Sequence, residues 1–215
     1  MRFAALALAW AGVGIGSWSV HASDAATLAV RLTTSLALPD GVRSALVREV
    51  DAIWQREGVR VIWTGDAVDA ATPPSDIRVL VVSASGANPS AGEHAWPVAE
   101  LLRDQQAQPV AIASVDAARR VLESSHRTGD PDALVARRLG VVLGRAVAHE
   151  LGHFLLQTAT HARHGLMRTR ISADDFADLR VGGFGLDAAA ATWVRASLAP
   201  QVPTELRLAR FAYPR

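Results

Sequence analysis

Leu28-Ala-Val-Arg-Leu-Thr33 alternates apolar and polar positions, the period-two pattern of a strand with one buried face. After Pro39-Asp40, the residues Val42, Leu46, Val50, Ile53 and Trp54 recur at helical spacing until Gly58 stops them, which predicts an amphipathic helix over 41–57. Such a helix needs a sheet to lie on. Val59–Trp63 follows at once as a second strand, and Ile77–Ser83, the most hydrophobic strand segment, follows a connection containing Pro73-Pro74. Strand, helix and strand in this order imply a right-handed crossover joining two parallel strands. Pro109–Val115 reads as a further strand and 83–92, rich in Ser, Gly and Asn-Pro, as a surface loop. The pattern over 94–104 fits an edge strand or a short helix equally well.

Asp130-Pro131 is a helix start, with Asp130 as the N-cap and the proline in the first turn, where its missing N–H costs nothing. This helix is expected to run to about Gln157. From Leu139 it is apolar nearly all round, interrupted by Arg145, His149, Glu150 and His153, so it belongs at the centre of a domain. Four ionisable groups argue against a membrane span. Gly140, Gly144 and Gly152 let neighbours approach it closely. Two short helices, near 172–180 and 187–198, complete the chain with a tail.

Charge narrows the class of partner. The 215 residues carry 22 basic side chains against 21 acidic ones and show no basic run, which argues against a nucleic-acid partner held through phosphates. Every basic side chain is arginine, so a lysine nucleophile or Schiff base is excluded, and the absence of cysteine agrees with a chain large enough to be stable without disulfides. Residues 1–22 read as a signal peptide: Met1-Arg2, an uncharged apolar stretch from Phe3 to Trp18, and Val20-His21-Ala22 in the small-x-small form of a cleavage site. The expectation is export to a periplasmic or extracellular space, without stable membrane association after cleavage. Residues 23–215 are then one domain, with an upper part of about 23–157 and a lower part of about 158–215.

The chemistry is concentrated at His149-Glu150-Leu151-Gly152-His153. Two imidazoles four residues apart on a helix lie one above the other on the same face and can share one zinc ion. The glutamate beside the first is offset, so it reaches a water on the metal without being a ligand. A catalytic zinc takes three protein ligands and an open position. Four of the six histidines beyond the signal segment fall between 149 and 164, and Gly165-Leu166-Met167 follows them directly.

HExxH, a third histidine shortly after, and a Gly-x-Met step resemble the metzincins within the zincin class of zinc metallopeptidases. The resemblance implies an α+β fold whose mixed sheet packs on two main helices, one of them carrying HExxH, with a small, mostly helical C-terminal subdomain. It also implies an edge strand that binds extended peptide, and Met167 as a supporting turn residue under the metal. Two departures stand out. The metzincin spacing His-Glu-x-x-His-x-x-Gly-x-x-His puts Leu at 156 and Ala at 159 here. The expected ligands are therefore His149, His153 and His161, delivered by a longer exit from the helix, with His164 or a carboxylate from Asp174, Asp175 or Asp178 as alternatives for the third place. The chain after Met167 is also short, so the lower subdomain is small.

These residues lead to a secreted zinc-dependent metallopeptidase, an endopeptidase on peptide or protein substrates, with Glu150 as general base. The alternatives are a zinc-binding protein of the same fold that does not cut, and a hydrolase of amides outside peptides. Arg145 is expected to pair with a buried acid or with a substrate carboxylate. His94 and His126 read as surface residues, and Tyr213 is given no role.

Overall fold

The computed structural model describes residues 26–64, 77–83, 98–103, 106–125, 129–180 and 182–198. Residues 1–22, expected to be a signal peptide, and 84–92 of the expected surface loop lie outside these residues. In chain order the elements are β1 (Ala26–Thr34), α1 (Asp40–Arg56), β2 (Val59–Thr64), β3 (Ile77–Val82), β4 (Val98–Arg103), β5 (Gln106–Ser114), α2 (Val115–Ser124), α3 (Asp132–Leu156), α4 (Ala173–Ala177) and α5 (Ala188–Ser197).

The strands form a mixed sheet in the order β2-β1-β3-β5-β4, with the first four parallel and β4 running antiparallel along β5 at the edge. Within the segment whose pattern left strand and helix open, the described residues 98–103 are an edge strand. Its pairing with β5 carries a register shift between Glu100 and Leu102. Alternate residues of the strands are buried: Leu28, Val30 and Leu32 on β1, Val59 and Val61 on β2, Ile77, Val79 and Val81 on β3. On that face α1 contributes Val42, Leu46, Val50, Ile53 and Trp54, and α3 contributes Val142, Leu143, Ala146, Val147 and Leu151 to one continuous core. The α+β class, with a mixed sheet on two main helices, is what the structure shows.

α1 and α3 pack unusually close because α3 presents two glycines one turn apart. A Cβ at Gly140 would collide with Val42 O and Ala45 Cβ, and one at Gly144 would lie 2.7 Å from Glu49 Cβ and 2.8 Å from Leu46 O. α3 is long and apolar enough to cross a membrane, but all of its most apolar stretch is buried inside the protein, so it is the core helix. At its deepest point Arg145, 0% exposed, pairs with Glu49 of α1 at 2.7 Å. The rest of the guanidinium donates to three carbonyls beyond α3: Asp175 and Phe176 at 2.8 Å each and Arg180 at 3.1 Å. One buried cation thereby joins both main helices to the C-terminal segment, and deleting either partner of a buried pair of this kind costs about 3–5 kcal/mol. Of the two expectations for Arg145, the buried acid is realised.

Three local expectations differ from the structure. Asp130 is not the N-cap of α3: Pro131 occupies that position without a side-chain cap, and the Asp130 carboxylate instead takes Arg138 Nε at 2.6 Å. Arg138 also donates to Ala177 O at 2.7 Å, so the carboxylate is recruited to orient a second arginine on the C-terminal segment. The strand expected at 109–115 begins earlier, at Gln106, and ends at Ser114, whose hydroxyl accepts from Ala117 N and starts α2. The helix Val115–Ser124 is not anticipated from the sequence, although Val115, Ala118, Val121 and Leu122 recur along it at helical spacing. The expected helix at 172–180 is only Ala173–Ala177, since the carbonyls that would extend it are engaged by Arg138 and Arg145.

Candidate metal centre

His149, Glu150 and His153 lie on the last two turns of α3 and are all buried. The helix runs through Leu156 and stops at Gln157, which takes the left-handed conformation at φ 49°, ψ 44°. Gln157 is the sole non-glycine residue with positive φ among the described residues, and its side-chain amide donates back to Phe154 O at 2.5 Å. The turn therefore falls one residue later than a glycine at 156 would place it, and the third histidine falls two residues later. From this turn the chain doubles back, so that the His161 ring lies 5.3 Å from His149 and 4.8 Å from His153, centroid to centroid. One ring nitrogen from each of His149, His153 and His161 lies within 4.8 Å of the others.

The other ring nitrogens explain how the site is aimed. His149 Nδ1–H donates to Leu166 O at 2.8 Å, and His153 Nδ1–H donates to Thr158 O at 2.7 Å. A carbonyl only accepts, so in each neutral ring the proton is on Nδ1 and the Nε2 lone pair points inward. The two Nε2 atoms stand 3.0 Å apart. Lone pairs facing one another at this distance repel unless a cation lies between them, and three imidazoles are the donor set of a tetrahedral zinc site with one position left for water. The residues fit a divalent metal of this kind.

Burial reinforces the neutral form. His149 is held well below the ordinary imidazole pKa, first by desolvation and then by the neighbouring His153 and His161, against an opposing contribution from its bond to Leu166. His153 is also lowered by burial, partly offset by Thr158. The unfolded chain therefore takes up protons at about pH 6.5, where the folded chain resists them. Stability from these two groups is fully present above that pH and is lost as pH falls toward their depressed folded values. Urea unfolding of the metal-free protein is expected to show a lower midpoint at pH 5 than at pH 7, the unfolding free energy falling by at most about 1.4 kcal/mol per pH unit for each histidine. A midpoint independent of pH over that range would contradict buried neutral rings.

Support from below comes from Met167, which is buried with its Sδ so close over Gly152 that a Cβ there would collide with it. The loop that carries His161 is closed by Ala162 N–H to Met167 O at 2.7 Å. Of the alternatives for the third ligand, His164 is exposed and is not part of the three-histidine group. Asp174, Asp175 and Asp178 are likewise not part of that group, and the Asp178 carboxylate pairs with Arg180 at 2.6 Å. His94, His126 and Tyr213 lie outside the described residues.

Beside the rings is a pocket of about 220 Å³, lined by apolar Leu156, Met167, Leu186 and Ala190 together with His161 and His164. Its wall at Gly185-Leu186 is tied to the site through Leu166, whose N–H donates to Gly185 O at 2.8 Å. Behind it, Leu186 N–H donates to Glu57 Oε1 at 3.0 Å. Sequence reasoning missed this wall. The run Gly182-Gly183-Phe184-Gly185 hints at close backbone packing, but nothing along the chain connects Glu57 with it.

No family model matches the chain, and no curated protein matches its sequence. Among solved structures the chain is similar to archaemetzincin from Methanopyrus kandleri, with a TM-score of 0.45 and 14% identity over 80% of this chain and 95% of that one.

Proposed function

We propose that the protein is a zinc-dependent metallopeptidase in which His149, His153 and His161 hold the ion and Glu150 is the general base. The observation that carries this reading is the pair of inward-facing Nε2 atoms 3.0 Å apart, with a third imidazole beside them, on a helix that also carries a buried glutamate. Bound there, zinc supplies a Lewis acid for the scissile carbonyl and lowers the pKa of water from 15.7 to about 7. Glu150 takes the proton from the attacking water and returns it to the departing amine nitrogen, so that no strong external acid or base is needed. Leu166 O and Thr158 O keep the rings in the ligating tautomer. The apolar pocket beside His161 receives a substrate side chain next to the bond that is cut, and its size suits an aliphatic or single-ring residue. The leader-like residues 1–22 support a place of action outside the cytoplasm.

The test is incubation of the purified protein with a mixed peptide library, with chelator, without it, and with zinc restored. The expected result is internal cleavage that chelator abolishes and zinc recovers, with apolar residues enriched at one position flanking the cut. Zinc bound at one equivalent with no chelator-sensitive cleavage would instead mean a metal-holding protein that does not cut.

A further inference from the structure

Glu57 is the residue at which α1 ends, with Gly58 after it in the left-handed region at φ 78°. Its side chain is buried at 7% exposure, and the bond it makes goes 129 residues along the chain, to Leu186 N–H at 3.0 Å. Burying a carboxyl group costs several kcal/mol unless it is well compensated, and one neutral amide is modest compensation. The position of that amide gives the arrangement its meaning. Leu186 N–H and Gly185 C=O belong to one peptide plane. Its carbonyl accepts from Leu166 N–H at 2.8 Å, and Leu166 C=O in turn accepts His149 Nδ1–H at 2.8 Å. The Gly185–Leu186 amide is polarised by its bonds at both ends, whereas the Leu166 N–H and C=O lie in successive peptide planes and pass on position alone. There is no slack at the crossing: a Cβ on Gly165 would collide with Gly185 O, and one on Gly185 would stand 3.1 Å from Glu57 Oε1. The end of α1 is also held from outside, by Arg195 Nη1 on Glu57 O at 3.0 Å.

We infer that Glu57 is a positioning residue for the metal centre, fixing the Gly185–Leu186 peptide plane and through Leu166 the ring of His149, while setting the wall of the adjoining pocket. This rests on the metallopeptidase reading. Outer partners of metal ligands change affinity by about 10–100-fold, and Glu57 stands one link further out, so about a tenfold effect is expected.

The test compares wild type, Glu57→Gln and Glu57→Ala as full chains. Glu57→Gln retains an acceptor oxygen at the same reach, and Glu57→Ala removes it. With cobalt(II) as the probe metal, Glu57→Ala is expected to shift the visible absorption bands and to weaken metal binding about tenfold in chelator competition. Glu57→Gln is expected to restore both, and kcat to follow the same order. Should Glu57→Ala not fold, Glu57→Asp carries the comparison, because it keeps the carboxyl group one methylene short of Leu186. Amide exchange in the wild-type protein reads the relay without any variant: protection at Leu166 and Leu186 is expected, and rapid exchange at either overturns the inference. Wild-type bands and affinity in Glu57→Ala also overturn it. Failure of the wild-type protein to take up cobalt or zinc at all would overturn the metallopeptidase reading itself, a different result from these.

Discussion

Glu150→Gln is expected to abolish peptide hydrolysis while leaving the metal content unchanged. Glu150 is one residue from His149 on α3, about 100° round the helix, so its carboxylate is set beside the face from which the two imidazoles project. Glutamine has the same shape and remains a hydrogen-bonding group in a buried position, which preserves the packing of α3. It cannot take a proton from water at neutral pH. Loss of a general base costs about 10²–10⁴-fold in rate, and because the same group also delivers the proton to the leaving amine, the fall is expected at the upper end of that range. Measuring kcat/KM beside zinc content by atomic absorption separates the two roles. Activity within tenfold of wild type in a fully metallated variant would remove Glu150 from the reaction.

His161→Ala has the next largest expected effect, and it acts on the metal. With His149 and His153 alone the site offers two nitrogens, which is not enough for a catalytic zinc. Affinity is expected to fall by more than the 10–100-fold typical of losing an outer partner, and hydrolysis with it at limiting zinc. His164→Ala is the matched control: it sits three residues away, exposed, outside the three-histidine group. It is expected to leave zinc content as in wild type and to alter at most the preference for the side chain in the neighbouring pocket. The reverse outcome, metal lost with His164→Ala and kept with His161→Ala, would reassign the third ligand. Dialysis against graded zinc buffers measures both.

What could be read along the chain depended on how far each interaction reaches. The helix 41–57 was legible because Val42, Leu46, Val50, Ile53 and Trp54 are large and correctly spaced, and α1 occupies Asp40–Arg56. The two helical histidines were legible because a fixed local geometry turns i and i+4 into neighbours. His161 was legible from the clustering of histidines and not from spacing, since the turn that brings it back depends on Gln157 adopting a conformation that its residue type does not announce. α2 was missed although Val115, Ala118, Val121 and Leu122 recur at helical spacing, because β5 runs straight into it at Ser114 with no Gly or Pro to mark the boundary. Glu49, Glu57 and Arg138 show a different limit. Each looks like a surface charge in a one-dimensional reading, and each is committed to a partner that only the folded chain brings near: Glu49 to Arg145, Arg138 to Ala177, Glu57 to Leu186. The candidate site was therefore visible in its ligands and invisible in the framework that aims them.

The sulfur of Met167, seated against Gly152 where not even a methyl group has room, exposes the centre to a hazard of its own. Oxidation to the sulfoxide would add a polar oxygen to a buried thioether packed against α3 at Gly152, the residue before His153. On the Gly152 side that atom would press on the end of α3, and on the other it would enter the pocket that Met167 lines. Peroxide damage at this one side chain would thus be felt at the three-histidine group without altering any of its rings, and its burial limits that access.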